Sequence, residues 1–177
     1  MKKLYWIVLI AGTIIMIFVM KTTGKSLETS ATPLGIINLE IAPGKVIVQA
    51  VLHAWEKKNS DAPDNISVAK INIYLDFLFI LFYAPFLYFS SKTLSAGFYK
   101  KTFIARAVKP ISVGIIAAAI LDVLENIGML QSLHGHVSDK IALFTTICSL
   151  AKWGLVFLSI AFILFTLVSK LFQPKKK

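Results

Sequence analysis

Residues 114–130, GIIAAAILDVLENIGML, decide the fold of this chain. Almost every position is apolar or small, over a length close to the roughly 20 residues that a helix needs to cross a bilayer core. Near one end the stretch carries two acids and an amide, Asp122, Glu125 and Asn126. Their i, i+3, i+4 spacing places all three on one helical face. The stretch therefore predicts a membrane-spanning helix whose acidic face points away from lipid.

Composition extends this prediction to the whole chain. Of its 177 residues, 56% are hydrophobic and 16% are charged, with a mean hydropathy of +0.74. Soluble domains carry about a quarter charged residues. Four apolar segments of near-spanning length or more can be drawn, at about 4–20, 68–90, 111–130 and 141–171. We expect an all-α fold, a polytopic membrane four-helix bundle in which residues 1–177 form a single domain.

The formal net charge of +10 is concentrated in three clusters. These precede the first span, lie between the second and third, and close the chain: Lys2 and Lys3; Lys92, Lys100, Lys101, Arg106 and Lys109; Lys170, Lys175, Lys176 and Lys177. Four crossings put all three clusters on one side, which predicts cytoplasmic termini in a bacterial inner (cell) membrane. No nucleic-acid recognition motif accompanies the charge, so we expect no nucleic-acid partner. The expected partner is membrane lipid, with anionic headgroups as an accessory contact.

The first apolar segment could be read as a secretory signal, because a charged Met1-Lys2-Lys3 precedes it. The apolar run continues to Met20, however, and no small-x-small cleavage site follows it directly. A retained first helix is therefore favoured. The lone Cys148 excludes an intrachain disulfide and a Cys-x-x-Cys motif, and it is expected to be a free thiol in the fourth span.

Segment 21–67 is the one sizeable extramembrane stretch, and the predicted topology puts it on the outer side. An apolar piece at 33–42 is separated by Pro43-Gly44 from a piece at 46–58 with helical periodicity, and residues 59–65 form a polar turn. In the second piece the apolar positions recur at i, i+3, i+4 and i+7: Val48, Val51, Leu52 and Trp55. This predicts a short amphipathic helix that lies on the membrane surface or caps the bundle.

Polar residues also interrupt the second and fourth segments. Asn72 and Asp76 are spaced i, i+4, and a stripe on the fourth segment is centred on Lys152: Thr145, Ser149, Lys152 and Ser159. At about 1.5 Å per residue, the charged groups of the three segments fall between the outer half and the middle of the bilayer. We therefore expect them to meet.

An unpaired charge at this depth costs roughly 2.5–3.5 kcal/mol on insertion scales. The simplest arrangement pairs Lys152 with Asp122 or Glu125 and leaves the other carboxyls bound to Asn72 and Asn126 or partly protonated. One lysine cannot neutralise three acids, which favours a ligand-binding pocket over a network that only fixes helix order. Glu40, from the apolar loop, is a further candidate. The predicted ligand-binding residues are Asp76, Asp122, Glu125, Asn126, Lys152, Asn72 and Glu40.

Other motifs carry little. His134-Gly135-His136 has a spacing that could suit a metal, but His-x-His in a short loop is more often exposed, so no metal site is predicted. Pro85 interrupts the second span, where a kink is common, and the many aromatic residues of that span are expected to face lipid. The nucleophile-elbow, P-loop, HExxH and dinucleotide signatures are not found, and neither a catalytic residue nor a cofactor is assigned.

Several segments resemble those of uncharacterised bacterial four-helix integral membrane proteins, in the same order along most of the chain. They are 35–42, 75–79, the Asp-x-x-Glu-Asn helix at 122–126, and Lys152-Trp153. This resemblance implies four membrane helices and no established activity. In size, helix count and membrane acids the chain is also similar to the sterol isomerase and sigma-2 receptor superfamily, as a likeness of architecture only.

Three functions are compatible with these features. The first, which we favour, is binding of a lipid or a small hydrophobic or cationic molecule in a buried acidic pocket, with or without catalysis. The second is a transporter or channel subunit with a proton or cation relay, which would require a homo-oligomer because four helices are few for a transporter. The third is a structural or assembly partner in a membrane complex.

Overall fold

The computed structural model describes residues 2–56, 64–99 and 102–172. Within these ranges the chain forms helices and no strand, which confirms the all-α prediction. The helices are α1 (Lys2–Thr23), α2 (Ile37–Glu40), α3 (Lys45–Trp55), α4 (Asn65–Ser95), α5 (Phe103–Leu133) and α6 (Asp139–Leu171), with a 3-10 turn at Gly24–Leu27 after α1.

Four of these helices, α1, α4, α5 and α6, are long and apolar enough to cross a membrane. The spans are longer than the sequence predicted. The largest difference is in α5, which begins at Phe103 rather than at 111, because Pro110 lies inside the helix instead of preceding it. Helix α4 likewise continues through Pro85. Proline is tolerated inside membrane helices, where neighbouring groups satisfy the freed backbone carbonyl.

The polarity of the four long helices is reversed relative to a soluble bundle. Their exposed surface carries large apolar side chains, for example Phe18, Leu81, Ile120 and Phe157. Their interior instead buries polar and charged side chains: Asp122, Glu125, Asn126, Ser149, Lys152, Ser159 and Thr166. Lipid accepts the first group and excludes the second. This distribution is that of an integral membrane protein.

Helix packing is closest between α5 and α6. At Gly128 a side-chain carbon would lie 2.2 Å from Thr145 Oγ1, so a larger residue there would require the hydroxyl or the helices to move. Helix α4 packs against both α5 and α6, whereas α1 packs chiefly against α4. At that contact the Phe82 ring covers Gly12. A side-chain carbon at Gly12 would lie 2.2 Å from the nearest ring carbon.

Residues 24–56 form a cap over the end of the bundle where α1 ends and α4 begins. As predicted, α3 is amphipathic, with Val48, Val51 and Trp55 buried. The indole Nε1 of Trp55 donates to the carbonyl of Leu27 at 3.0 Å, and the backbone N–H of Lys45 donates to Asp139 Oδ1 at 2.8 Å. The expected end of this helix at Lys57 and Lys58, and most of the turn at 59–65, lie outside the described residues.

The end of the bundle away from the cap, here named the basic end, carries the described members of the basic clusters. Helix α1 begins there with Lys3, α4 ends there with Lys92, α5 begins there with Arg106 and Lys109, and α6 ends there with Lys170. Lys100, Lys101 and the terminal Lys175, Lys176 and Lys177 lie outside the described residues. The described members of all three clusters therefore map to one end of the helices, as four crossings require.

Candidate functional site

The buried ammonium of Lys152 is the centre of a cluster of charged groups. Its Nζ lies 2.7 Å from Glu125 Oε2, 3.0 Å from Asp122 Oδ1 and 4.0 Å from Glu40 Oε2. The sequence predicted pairing with Asp122 or Glu125, and the structure shows pairing with both. Four residues, Glu40, Asp122, Glu125 and Lys152, are at most 7% exposed. The ion pairs are thus made in a medium where charge interactions are much stronger than in water.

Helix geometry explains why these groups converge. Asp122 and Glu125 are one turn apart on α5, so both carboxyls face α6 together. Lys152 lies on the polar stripe of α6. Thr145 is on the same stripe, two turns earlier in the helix. The close α5–α6 approach at Gly128 brings the two helices near enough for direct ion pairs. Gly128 therefore helps to bring Lys152 within ion-pair distance of Asp122 and Glu125.

Tyr83 on α4 contacts this cluster, which the sequence did not predict. Its buried hydroxyl donates to Asp122 Oδ2 at 2.7 Å, so both oxygens of that carboxyl have partners. Tyr83 follows Asp76 by seven residues, which is two turns along the same helical face. This spacing was a usable signal, but it was hidden among the many aromatic residues of the segment.

Asp76, also on α4, is joined to α5 by an amide. Asn126 Nδ2 donates to Asp76 Oδ2 at 2.7 Å. Asp76 is half-buried, whereas Asp122, Glu125 and Asn126 are fully enclosed. Asp76 is therefore the carboxyl of α4 and α5 through which the cluster reaches the surface of the bundle.

Glu40 brings the cap into the same network. Its Oε2 accepts from Ser149 Oγ at 3.3 Å and from the indole Nε1 of Trp153 at 3.2 Å. The ring of Trp153 also lies 5.3 Å from the ammonium of Lys152, within the range of a cation–π contact. Glu40 was predicted as a possible participant, while the indole contact was not. The cap thus rests on α6 through a buried carboxylate.

Asn72 is the one predicted site residue that the structure does not bring into the cluster. Its side-chain Nδ2 donates to the carbonyl of Met20 at 2.9 Å and to Thr23 Oγ1 at 3.0 Å. Both acceptors belong to the last turns of α1. The amide therefore ties α1 to α4 and does not bind the carboxyls, because it lies one turn closer to the cap than Asp76.

The carboxyls of this site have too few charge and hydrogen-bond partners. We define the acidic cluster as Glu40, Asp76, Asp122, Glu125 and their counter-ion Lys152. It contains four carboxyls and one ammonium. Among the described residues, the fully buried Glu125 Oε1 has no hydrogen-bond partner, and neither does Asn126 Oδ1. Glu125 Oε2 makes its ion pair with Lys152. Native proteins rarely leave such atoms unsatisfied, so each requires an explanation.

An apolar groove of about 480 Å³ runs between α4 and α5. No acidic side chain lines it: Ala84 and Val123 follow Tyr83 and Asp122 in sequence, and consecutive residues of a helix point about 100° apart. The remaining lining is aliphatic or aromatic: Ile80, Pro85, Tyr88, Phe89, Ile115, Ile116, Ala119, Ile120 and Leu124. The groove therefore lies at the level of Tyr83 and Asp122 along α4 and α5, on a neighbouring face of these helices.

In the part of the chain that the structure describes, no three His, Cys, Asp or Glu side chains are grouped so that they could hold a metal ion. His134 Nδ1 instead lies 2.7 Å from the carbonyl of Leu130, at the end of its own helix.

No protein-family model, curated protein or solved structure matches this chain. The site is therefore interpreted from its own chemistry.

Proposed function

We propose that the protein binds a lipid or small hydrophobic molecule that carries a cationic group. The acidic cluster holds the cation, and the α4–α5 groove holds the apolar part. The observation that carries this proposal is the imbalance of the cluster, four carboxyls against one ammonium, with a fully buried carboxyl oxygen left without a partner. Packing alone explains such an excess poorly, because each uncompensated charge at bilayer depth is costly.

The position of the groove supports this ligand class. A ligand arriving from the bilayer would move its apolar part from lipid into the α4–α5 groove, which is also apolar. Asp76, the half-buried carboxyl, would be the first acid that its cationic group meets. Asp122 and Glu125 lie behind it. Apolar pockets with a few convergent polar groups are the usual form of a small-molecule site.

The counter-ion has a defined part in this proposal. Lys152 pairs with both Asp122 and Glu125 but carries one positive charge, and a bound cation would supply further positive charge. Glu40 closes the cluster from the cap side through Ser149 and Trp153. Its contacts are longer than those of Lys152, which suits a group that yields when a ligand enters.

Native mass spectrometry of the purified protein tests this proposal. Asp122→Asn keeps the shape of the side chain and removes its charge, and Asp139→Asn makes the same change at the cap, outside the cluster. We expect a co-purifying molecule in the wild type and in Asp139→Asn and its loss in Asp122→Asn. Equal occupancy of all three proteins, or an empty and equally stable wild type, would refute the proposal.

A proton or cation relay is the second candidate, and it has an observation of its own. Groups that exchange protons follow one another from the cap inward: Glu40, Lys152, Asp122 and Tyr83. Proteoliposomes under a pH gradient would show a proton flux that Asp122→Asn abolishes and Asp139→Asn leaves intact.

If the acidic cluster serves only helix pairing, replacing all its acids and Lys152 with apolar residues leaves activity in the cell unchanged.

The charge pattern supports an orientation with the cap outside and both termini in the cytoplasm. The segments 77–121 and 153–177, which flank the basic end, contain lysine or arginine but neither Asp nor Glu. Of the 19 lysines and arginines, 11 belong to the three basic clusters, and an excess of these residues on the cytoplasmic side sets the orientation of bacterial membrane proteins. Placement in a bacterial inner membrane, and membership of the four-helix family that the sequence resembles, belong to the same proposal.

A further inference from the structure

A second groove, of about 260 Å³, lies between α5 and α6. One end is polar, with Gln131 and Lys140. The rest is apolar or small: Leu124, Ile127, Gly128, Ile141 and Phe144. It shares only Leu124 with the lining of the α4–α5 groove. It is therefore a separate feature of the surface.

The polarity of this groove follows the depth of the membrane. Gln131 is in the last turn of α5 and Lys140 is in the first turn of α6, so the polar end lies at the ends of both helices, beside the cap. Leu124 lies seven residues deeper, roughly 10 Å along the helix. The groove thus leads from the interfacial layer into the hydrocarbon core, as a phospholipid does.

The polar side chains at the rim of the α5–α6 groove have no side-chain partners among the described residues. Among the described residues, the ammonium of Lys140 has no ion-pair partner and the side-chain amide of Gln131 has no hydrogen bond. The nearest acid in sequence, Asp139, uses Oδ1 to accept from the backbone of Lys45. A cation and an amide donor therefore stand free at the head of an apolar groove.

We propose that this α5–α6 groove binds an anionic glycerophospholipid from the cap-side leaflet. Lys140 pairs with the headgroup phosphate, Gln131 donates a hydrogen bond to it, and one acyl chain lies on Ile127 and Phe144. Both of these apolar side chains are more than 40% exposed, so the bound chain remains continuous with the surrounding lipid. A free phosphate ion would leave this apolar floor uncovered. The site is independent of the acidic cluster and does not rest on the proposed function.

Delipidated protein titrated with phosphatidylglycerol, and separately with phosphatidylcholine of the same chains, tests the site by native mass spectrometry. We expect the wild type to prefer phosphatidylglycerol and Lys140→Gln to lose about fivefold in its affinity, since one surface lysine contributes roughly 1 kcal/mol to anionic lipid binding. Lys140→Arg should retain the preference. Lys45→Gln is the matched control, an exposed lysine of the cap beside α6 but outside the groove.

A second variant tests the apolar part without changing charge. Ile127→Trp fills the groove and should reduce binding of phosphatidylglycerol while Lys140 remains. Unchanged affinity in both Lys140→Gln and Ile127→Trp would overturn the proposal. An equal loss in Lys45→Gln would also overturn it, because that result indicates general charge attraction. Displacement of the lipid by millimolar inorganic phosphate would show that the ion alone is recognised and would contradict the acyl-chain contact.

Discussion

Helices α1 and α6 are attached to the rest of the bundle by different chemistry. Helix α6 is joined to α5 by buried ion pairs and by the close approach of Gly128 to Thr145. Helix α1 is joined to α4 by the Phe82 ring on Gly12 and by the amide of Asn72. An edge-to-face pair adds to the second interface, Tyr5 with Phe89 at 5.4 Å between ring centres.

The difference separates two tasks of a membrane helix. Charged groups in lipid have only a few acceptable partners, so the α5–α6 contacts fix which helices meet and in what register. Apolar rings and backbone carbonyls accept many alternatives, so the α1–α4 contacts hold a helix in place without defining a site. We therefore expect changes at the α5–α6 interface to disturb both folding and binding, and changes at the α1–α4 interface to disturb the position of α1.

The largest effect is expected for Lys152→Met. It leaves Asp122 and Glu125 buried without a counter-ion, which costs about 3–5 kcal/mol for a buried pair. Thermal unfolding in detergent should show a large loss of stability, with little change for Lys170→Met at the end of the same helix. Adding Asp122→Asn and Glu125→Gln should restore part of the loss. A wild-type melting temperature in Lys152→Met would show that the ion pairs do not hold α6.

Gly128→Ala should have an intermediate effect. The added carbon would lie 2.2 Å from Thr145 Oγ1, so the hydroxyl must rotate or the helices must separate, at a cost of about 1–3 kcal/mol. Gly154→Ala is the control, because no atom lies within 4 Å of its added carbon. The same melting experiment compares them, and Thr145→Ala in the Gly128→Ala background should recover stability. Equal stability of the two glycine variants would contradict the close approach.

The smallest effect is expected for Asn72→Leu. It removes two hydrogen bonds to the end of α1, and interhelical hydrogen bonds in membrane proteins average about 0.6 kcal/mol each. Protease accessibility near Met20 should rise while ligand or lipid binding elsewhere is unchanged. Thr22→Val is the control, because that hydroxyl bonds only within its own helix. If Asn72→Leu destabilised the protein as strongly as Lys152→Met, the two interfaces would not differ as described.

Periodicity and polarity predicted the parts of this structure that depend on a single helix. The spans, the amphipathic α3, and the shared face of Asp122, Glu125 and Asn126 all follow from spacing along one segment. The pairing of Lys152 followed from the rule that membrane charges need partners. The start of α5 was misplaced because only the apolar run from 111 was drawn, whereas the helix begins at Phe103 and continues through Arg106, Lys109 and Pro110.

Features that depend on how two helices pack were not predictable. Asn72 and Asp76 share a face of α4, yet one contacts α1 and the other contacts α5. The separation arises because α1 ends at the level of Asn72, which spacing along α4 does not encode. The Trp153 contact with Glu40 and both grooves likewise depend on where the cap and neighbouring helices come to rest.

Lys152, the one buried lysine among the described residues, lies on α6, and this placement has a consequence for synthesis. Asp76 on α4 and the acids of α5 leave the ribosome before Lys152 exists to pair with them. Each unpaired acid in lipid costs roughly 2.5–3.5 kcal/mol on insertion scales. Only the short loop 134–138 separates α5 from α6, so the two helices would partition from the translocon together as a hairpin. A nascent chain that stalls before α6 would carry acids in the bilayer without their counter-ion.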